Sequence, residues 1–217
     1  MNYKTKAKDS FKTKLNLFFY NLSKQNRHEF TLKDFQSFQI TEELAHEYAT
    51  VYWQRELGYA IKGKSIKKIY EDIEQLKKNN EMFIQECKQD YISNTFPSKF
   101  PEAKFIELIK VEQCYYCEIT KSEIETLVTY GQLNKKNLRG WNLEIDRLNS
   151  NFEYTPQNCV MCCYWCNNAK TDEFTEEEFK RISQSIKTIW KERIERARFQ
   201  ERFIGDIQDI TIIRNEE

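Results

Sequence analysis

Four cysteines fall within eight residues, Cys159, Cys162, Cys163 and Cys166, and a separate CxxC pair, Cys114 and Cys117, precedes them by about 45 residues. A CxxC turn presents two thiolates from one tight loop, and a thiophilic ion such as zinc takes four such ligands in a tetrahedron. One ion is therefore expected to join two distant parts of the chain. The doubled motif offers two choices for the second pair. If residues 158–162 form a strand, successive side chains alternate faces, so Cys159 and Cys162 point to opposite sides and cannot clamp one ion without a turn. Cys163 and Cys166 bracket Tyr164 and Trp165 where strand gives way to helix. The expected metal ligands are Cys114, Cys117, Cys163 and Cys166. A closed four-cysteine site has no open coordination position, so a structural role is expected for its zinc (Zn2+). Cys87, Cys159 and Cys162 are read as buried packing residues.

The rest of the composition narrows the setting. Seven cysteines in 217 residues is an odd count, and the sequence shows no secretory leader, so reduced thiols and a cytoplasmic location are expected. No apolar run approaches the roughly 18–20 residues that span a bilayer, so no membrane partner is expected. The formal net charge is zero, which gives no global signal for a polyanionic partner. Local basic stretches exist: the first 24 residues carry six Lys against one Asp, and residues 61–68 carry four Lys and no acid. Alone, each reads as a solvated helix face.

Residues 1–100 show apolar positions recurring at three and four, as in Phe18, Phe19, Leu22 and Ile69, Ile73, Leu76, and are read as a helical N-terminal region. Thr31 and Thr41 are expected helix caps, with Glu42 and Glu43 suited to the positive end of the dipole. His28 and His46 read as surface or cap residues. Two prolines and a Ser-Asn-Thr cluster predict a loop over residues 93–105, and a second region is placed at 105–217. There the pattern predicts a helix over 121–131, a strand over 141–149, a second short strand after Pro156 and Asn158, and a helix starting near Cys166. A final helix should start at Thr175, with Glu178 completing a capping box and Phe174 stapled to Phe179. It should run to about Phe203 with Ile182, Ile186, Ile189 and Ile194 as its apolar face, and the tail should add an edge strand.

The segment from Cys114 to Cys117 (CYYC), followed by LEIDRLNSNFEYTPQNCVMCCYWCNNAKTDEF, resembles the HNH endonuclease superfamily over about residues 111–180. The resemblance implies a mainly α chain with a small α+β part: a zinc-stapled, treble-clef-like ββα-metal core after the helical region, with a long C-terminal helix. It implies that Asp146 and Asn167 bind a catalytic divalent ion, Mg2+ or Mn2+, and that Asn158 orders the loop between the strands. Hard cations take oxygen ligands, so Asp and Asn suit that role. Lys170 and Arg139 are candidate phosphate contacts. The implied partner is nucleic acid, DNA in the first place.

One position departs from the pattern. Arg147 stands where the family has its water-activating histidine, and arginine stays protonated at any physiological pH, so it is not a general base. Three readings follow. Another group takes the proton, Glu144 on the same strand face as Asp146 being the first candidate and Glu153, Tyr154 and Asp172 the next. Or a metal-bound hydroxide attacks unaided while Arg147 grips the phosphate. Or the site is catalytically silent, and the chain is a zinc module that binds nucleic acid or a partner protein, as part of a phage-defence or mobile-element system.

Overall fold

The computed structural model describes residues 2–61, 63–133 and 140–215, with side chains described as far as residue 202. It is mostly helical, with two small two-stranded sheets and a long C-terminal helix. In chain order the elements are α1 (Tyr3–Lys24), α2 (Leu32–Ser37), α3 (Glu42–Gln54), β1 (Ala60–Ile61), β2 (Lys64–Ser65), α4 (Ile66–Asn79) and α5 (Glu81–Asp90). A single π-helical turn, Tyr91–Thr95, leads into α6 (Phe96–Lys99) and α7 (Glu102–Ile109). Then come α8 (Lys121–Thr129), β3 (Glu144–Arg147), β4 (Cys159–Cys162), α9 (Tyr164–Lys170) and α10 (Glu176–Asn215). No described helix is long and apolar enough to cross a membrane. The chain divides into two compact units, Met1–Glu107 with Asn149–Cys159, and Leu108–Leu148 with Val160–Glu217.

The first unit is built around α1, whose N-terminus is capped by Asn2 accepting from Lys4 N at 2.9 Å. Its buried face carries Phe11, Phe18, Phe19 and Leu22. The Phe18 ring meets Phe30, Phe35 and Phe38 with centroids 5.3–5.9 Å apart, all near edge-on, the arrangement that aromatic quadrupoles favour. Thr31 and Thr41 cap α2 and α3 as their sequence context implies, Thr31 in a full capping box with Asp34. The loop expected at residues 93–105 is instead helical. Pro97 falls in the first turn of α6, where its missing N–H costs nothing, and Pro101 precedes a fresh helix. The two prolines thus start helices here.

A buried polar chain runs through this unit. Ser10 Oγ lies 2.9 Å from the Tyr91 hydroxyl, which donates to Glu153 Oε1 at 2.5 Å, and Lys99 Nζ reaches Glu153 Oε2 at 2.6 Å. Tyr154 N donates to the same Ser10 hydroxyl. Residues 149–158 of the connection between β3 and β4 are thereby fastened among the N-terminal helices. Asn158 also clamps this connection on itself. Its amide donates to Asn149 O and Glu153 O, and its Oδ1 accepts from Asn149 N, at 2.9–3.0 Å.

Lys14 is fully buried in the same region, with its ammonium 3.2 Å from Gln36 O and over the Phe35 ring. Burial, aided by the charge of Lys99, pushes its pKa down to about 8. A lysine whose folded pKa lies below its unfolded value destabilises the fold below the folded pKa, and that cost fades as the pH rises toward the unfolded one. In urea titrations the stability of Lys14→Met relative to the parent should therefore shift in the parent's favour between about pH 8 and 10.5. A difference that is flat across that range would contradict it.

In the second unit, α10 begins as predicted. Thr175 N and Oγ1 both reach Glu178 Oε2, at 3.0 and 2.8 Å, Glu178 N donates back to Thr175, and the Phe174 and Phe179 rings meet at 6.5 Å. Its buried stripe takes up only part of the isoleucine series, with Ile194 buried and Ile186 half-buried. Phe179, Ser183, Trp190, Ile194 and Ala197 face inward, while Ile182 and Ile189 are exposed. Ser183 turns inward because its hydroxyl donates to Tyr116 O at 3.1 Å. The tail expected as an edge strand continues α10 to Asn215.

Candidate metal centre and carboxylate site

Two turns in the second unit gather four sulfurs. In the first, Cys114 N donates to Ile119 O and Glu118 N to Cys114 O, at 2.9 and 3.0 Å, and Glu118 adopts φ +63°, a left-handed conformation uncommon for a side chain of its size. In the second, Cys163 caps α9, its sulfur accepting from Cys166 N at 3.4 Å. Tyr115 N donates to Met161 O at 2.9 Å, which ties the first turn to the strand that leads into the second.

Cys114, Cys117, Cys163 and Cys166 are all buried, and their sulfurs lie within 4.8 Å of one another, Cys117 and Cys163 being 3.6 Å apart. Zinc–sulfur bonds of about 2.3 Å in a tetrahedron set sulfur–sulfur edges of about 3.8 Å, so the set fits a thiolate-bound ion in both donor type and spacing. Hydrogen bonds from the other three thiols hold the Cys114 pKa far below its usual value, while Cys163 and Cys166 are pushed up. Four packed thiols share little negative charge by themselves. A divalent cation among them reverses that logic and favours thiolates.

Cys159 and Cys162 are buried in β4 and stay outside this group, as strand alternation requires. Burial, then the charge of Asp146, pushes the Cys162 thiol well above its usual range. Cys87 is likewise buried, its pKa raised to about 12. Elemental analysis should find about one thiophilic ion per chain. Cys163→Ser should lose it and lower the melting temperature, whereas Cys159→Ser should retain the ion; the reverse result would reassign the pair.

Beside the cysteines, β3 faces α9. Residues two apart on a strand share a face, as do residues three apart on a helix. Glu144 and Asp146 therefore meet Asn167 and Lys170. Asn167 Nδ2 donates to Glu144 Oε2 at 2.7 Å, and Lys170 Nζ lies 3.4 Å from Asp146 Oδ2. The Tyr116 hydroxyl donates to the same Asp146 oxygen at 2.9 Å. Burial raises the Asp146 pKa against the opposing pull of Lys170 and of the Tyr116 hydrogen bond. The same carboxylate, after burial, raises the pKa of Tyr116, which is thus held as a neutral donor.

The sequence-derived candidates fall into three groups. Glu144, Asp146, Asn167 and Lys170 are brought together, and the Arg147 carbonyl joins them by accepting from Lys170 Nζ at 3.0 Å. Lys170 is only 1 % exposed, so its ammonium serves this internal site, where an exposed phosphate contact had been expected. Asn158, Glu153 and Tyr154 belong to the connection that groups with the N-terminal helices, Glu153 bonded to Tyr91 and Lys99, and Tyr154 accepting from Lys6 Nζ at 3.3 Å. Asp172 is exposed, and Arg139 lies outside the described residues. Tyr116 was missed. Its only sequence signal is a place between Cys114 and Cys117, and nothing there points to an aspartate 30 residues on.

The carboxylates of Glu144 and Asp146 and the carbonyl arm of Asn167 are oxygen donors of the kind that hard cations take. Among solved structures, a chain similar to this one is the rare-cutting HNH restriction endonuclease PacI, 24% identical, covering 64% of this chain and 89% of that one with a TM-score of 0.37. No family model matches the sequence, and no curated protein matches it.

Proposed function

We propose that this chain is a metal-dependent endonuclease of HNH type that hydrolyses phosphodiester bonds in nucleic acid, DNA in the first place. The observation that carries the reading is the register of β3 on α9. It sets Glu144 and Asp146 beside Asn167, which directly follows the second cysteine turn, the order of parts that the sequence resemblance implies. In this reading residues 105–217 form the nuclease region and residues 1–100 an accessory helical region. The cysteine site holds zinc as a structural element, and seven cysteines outside any disulfide suit the reducing cytoplasm.

Asp146 and Asn167 are the residues assigned to a Mg2+ or Mn2+ ion, which when bound would stabilise charge on the leaving oxygen and the phosphoryl centre. Tyr116 and Lys170 position Asp146, one by a hydrogen bond and the other by its charge. Glu144, held by the Asn167 amide, is the group within this cluster able to accept a proton from water. Arg147 is assigned to a non-bridging phosphate oxygen, since its planar fork matches that geometry. Asn158 acts through the loop it clamps.

Lys170 supports a second reading. Its ammonium already neutralises Asp146, the place a divalent cation would take, and this favours a silent module that binds nucleic acid or a partner protein without cutting it. Plasmid DNA and, separately, RNA incubated with the purified chain in Mg2+ or Mn2+ decide between them. Cleavage should fall by about 100-fold or more in Asp146→Ala. Undiminished cleavage by that variant would move the active site elsewhere, and no cleavage of either polymer by the parent would favour the silent module.

A further inference from the structure

The segment joining α3 to α4 carries side chains that the proposed nuclease site does not use. Trp53 and Tyr59 are 64% and 61% exposed, and Tyr52 and Leu57 beside them are also open to solvent. Single exposed apolar residues are ordinary, but four of them within eight positions are an unusual local concentration. The rings are organised. The Arg55 guanidinium lies 4.3 Å from the Tyr52 ring and 5.5 Å from the Tyr70 ring, and Tyr52 meets Trp53 edge-on at 5.5 Å.

A short hairpin follows, with Ala60 paired to Ser65 and Ile61 to Lys64, turning at Gly63 with φ +78°. Ile66 N donates to Tyr59 O at 3.0 Å, which puts Tyr59 at the hairpin's base, opposite the start of α4. Lysines cluster at the same place. Lys64 and Lys68 share one carboxylate, Asp72, at 2.9 and 3.0 Å, so the trio keeps a net positive charge. Lys67 is exposed and has no acidic partner among the described residues.

Exposed aromatic residues close in the chain to ammonium groups match one ligand chemistry better than others. Lysine is depleted at protein–protein interfaces, whereas single-stranded nucleic acid is held by aromatic platforms for its bases and cations for its phosphates. We propose that this α3–hairpin–α4 surface binds single-stranded nucleic acid, bases stacking on Trp53 and Tyr59 and phosphates meeting Lys64, Lys67 and Lys68. It shares the class of partner with the nuclease reading but uses none of its residues.

The test measures fluorescence anisotropy of a labelled oligothymidylate of about 15 nucleotides, with a matched duplex as comparison. It uses the Asp146→Ala chain without added divalent ion, so that cleavage does not enter. Trp53→Ala and Tyr59→Ala should each weaken single-strand binding about tenfold. Lys67→Gln should lower the slope of log affinity against log salt by about 0.7. Both rings are exposed, so circular dichroism and the melting temperature should match the parent's. A folded Trp53→Ala/Tyr59→Ala double variant that binds the oligomer as the parent does overturns the proposal. If that same variant instead changes from dimer to monomer in sedimentation, the surface belongs to a second copy of this chain. Plasmid cleavage by the parent together with ring-independent oligomer binding leaves the nuclease reading standing and removes this one; ring-dependent binding without any cleavage does the opposite.

Discussion

Four thiols brought from two turns, with Cys117 and Cys163 separated by 46 positions, set the geometry of the second unit. A short two-stranded sheet has little apolar area of its own, and one this small is marginal in water. An ion held by the four cysteines would fix both ends of the segment between them, and the Tyr115–Met161 hydrogen bond aligns one turn with the strand entering the other. Once Cys163 caps α9, that helix has a defined start and rotation. Asn167 and Lys170 then fall on the side facing β3.

That rotation makes the electrostatics of the site a consequence of its scaffold. Asp146 is desolvated, which raises its pKa, and the charge of Lys170 and the Tyr116 hydrogen bond oppose this. Buried ion pairs contribute little net stability, because desolvation offsets attraction, but they penalise any register that separates the partners. Lys170 Nζ bonded to both Asp146 and the Arg147 carbonyl fixes α9 along β3 in this way. Tyr116 does the same from within the first cysteine turn, so the sulfur cluster and the carboxylate are joined through one side chain.

Features governed by local chemistry were legible in the sequence. The choice of Cys163 and Cys166 followed from strand alternation, and the caps at Thr31, Thr41 and Thr175 from side-chain oxygens placed three residues before backbone donors. What depended on distant partners was not. The isoleucines of α10 have helical spacing, yet Ile182 and Ile189 are exposed and Ser183 and Trp190 join Ile194 on the inner face, because a hydroxyl that finds a carbonyl is as well buried as a hydrocarbon. The prolines near residue 100 signal a break, but a proline in a first helical turn and one just before a helix look the same in sequence as two in a loop. Lys170 was read as a phosphate contact because its internal partner, Asp146, is 24 positions upstream and nothing local predicts the pairing.

The Glu153 network has a bearing on the order of events during synthesis. Ser10, Tyr91 and Lys99 leave the ribosome well before the carboxylate that completes their hydrogen bonding, which lies 54 residues beyond Lys99. At about 5–20 residues per second that interval is roughly 3–10 seconds. Throughout it the Tyr91 hydroxyl has Ser10 as a partner but not the Glu153 carboxylate, and Lys99 lacks its counter-charge. The polar interior of the helical region is therefore completed by a loop made after the first cysteine turn, and not by the helices alone.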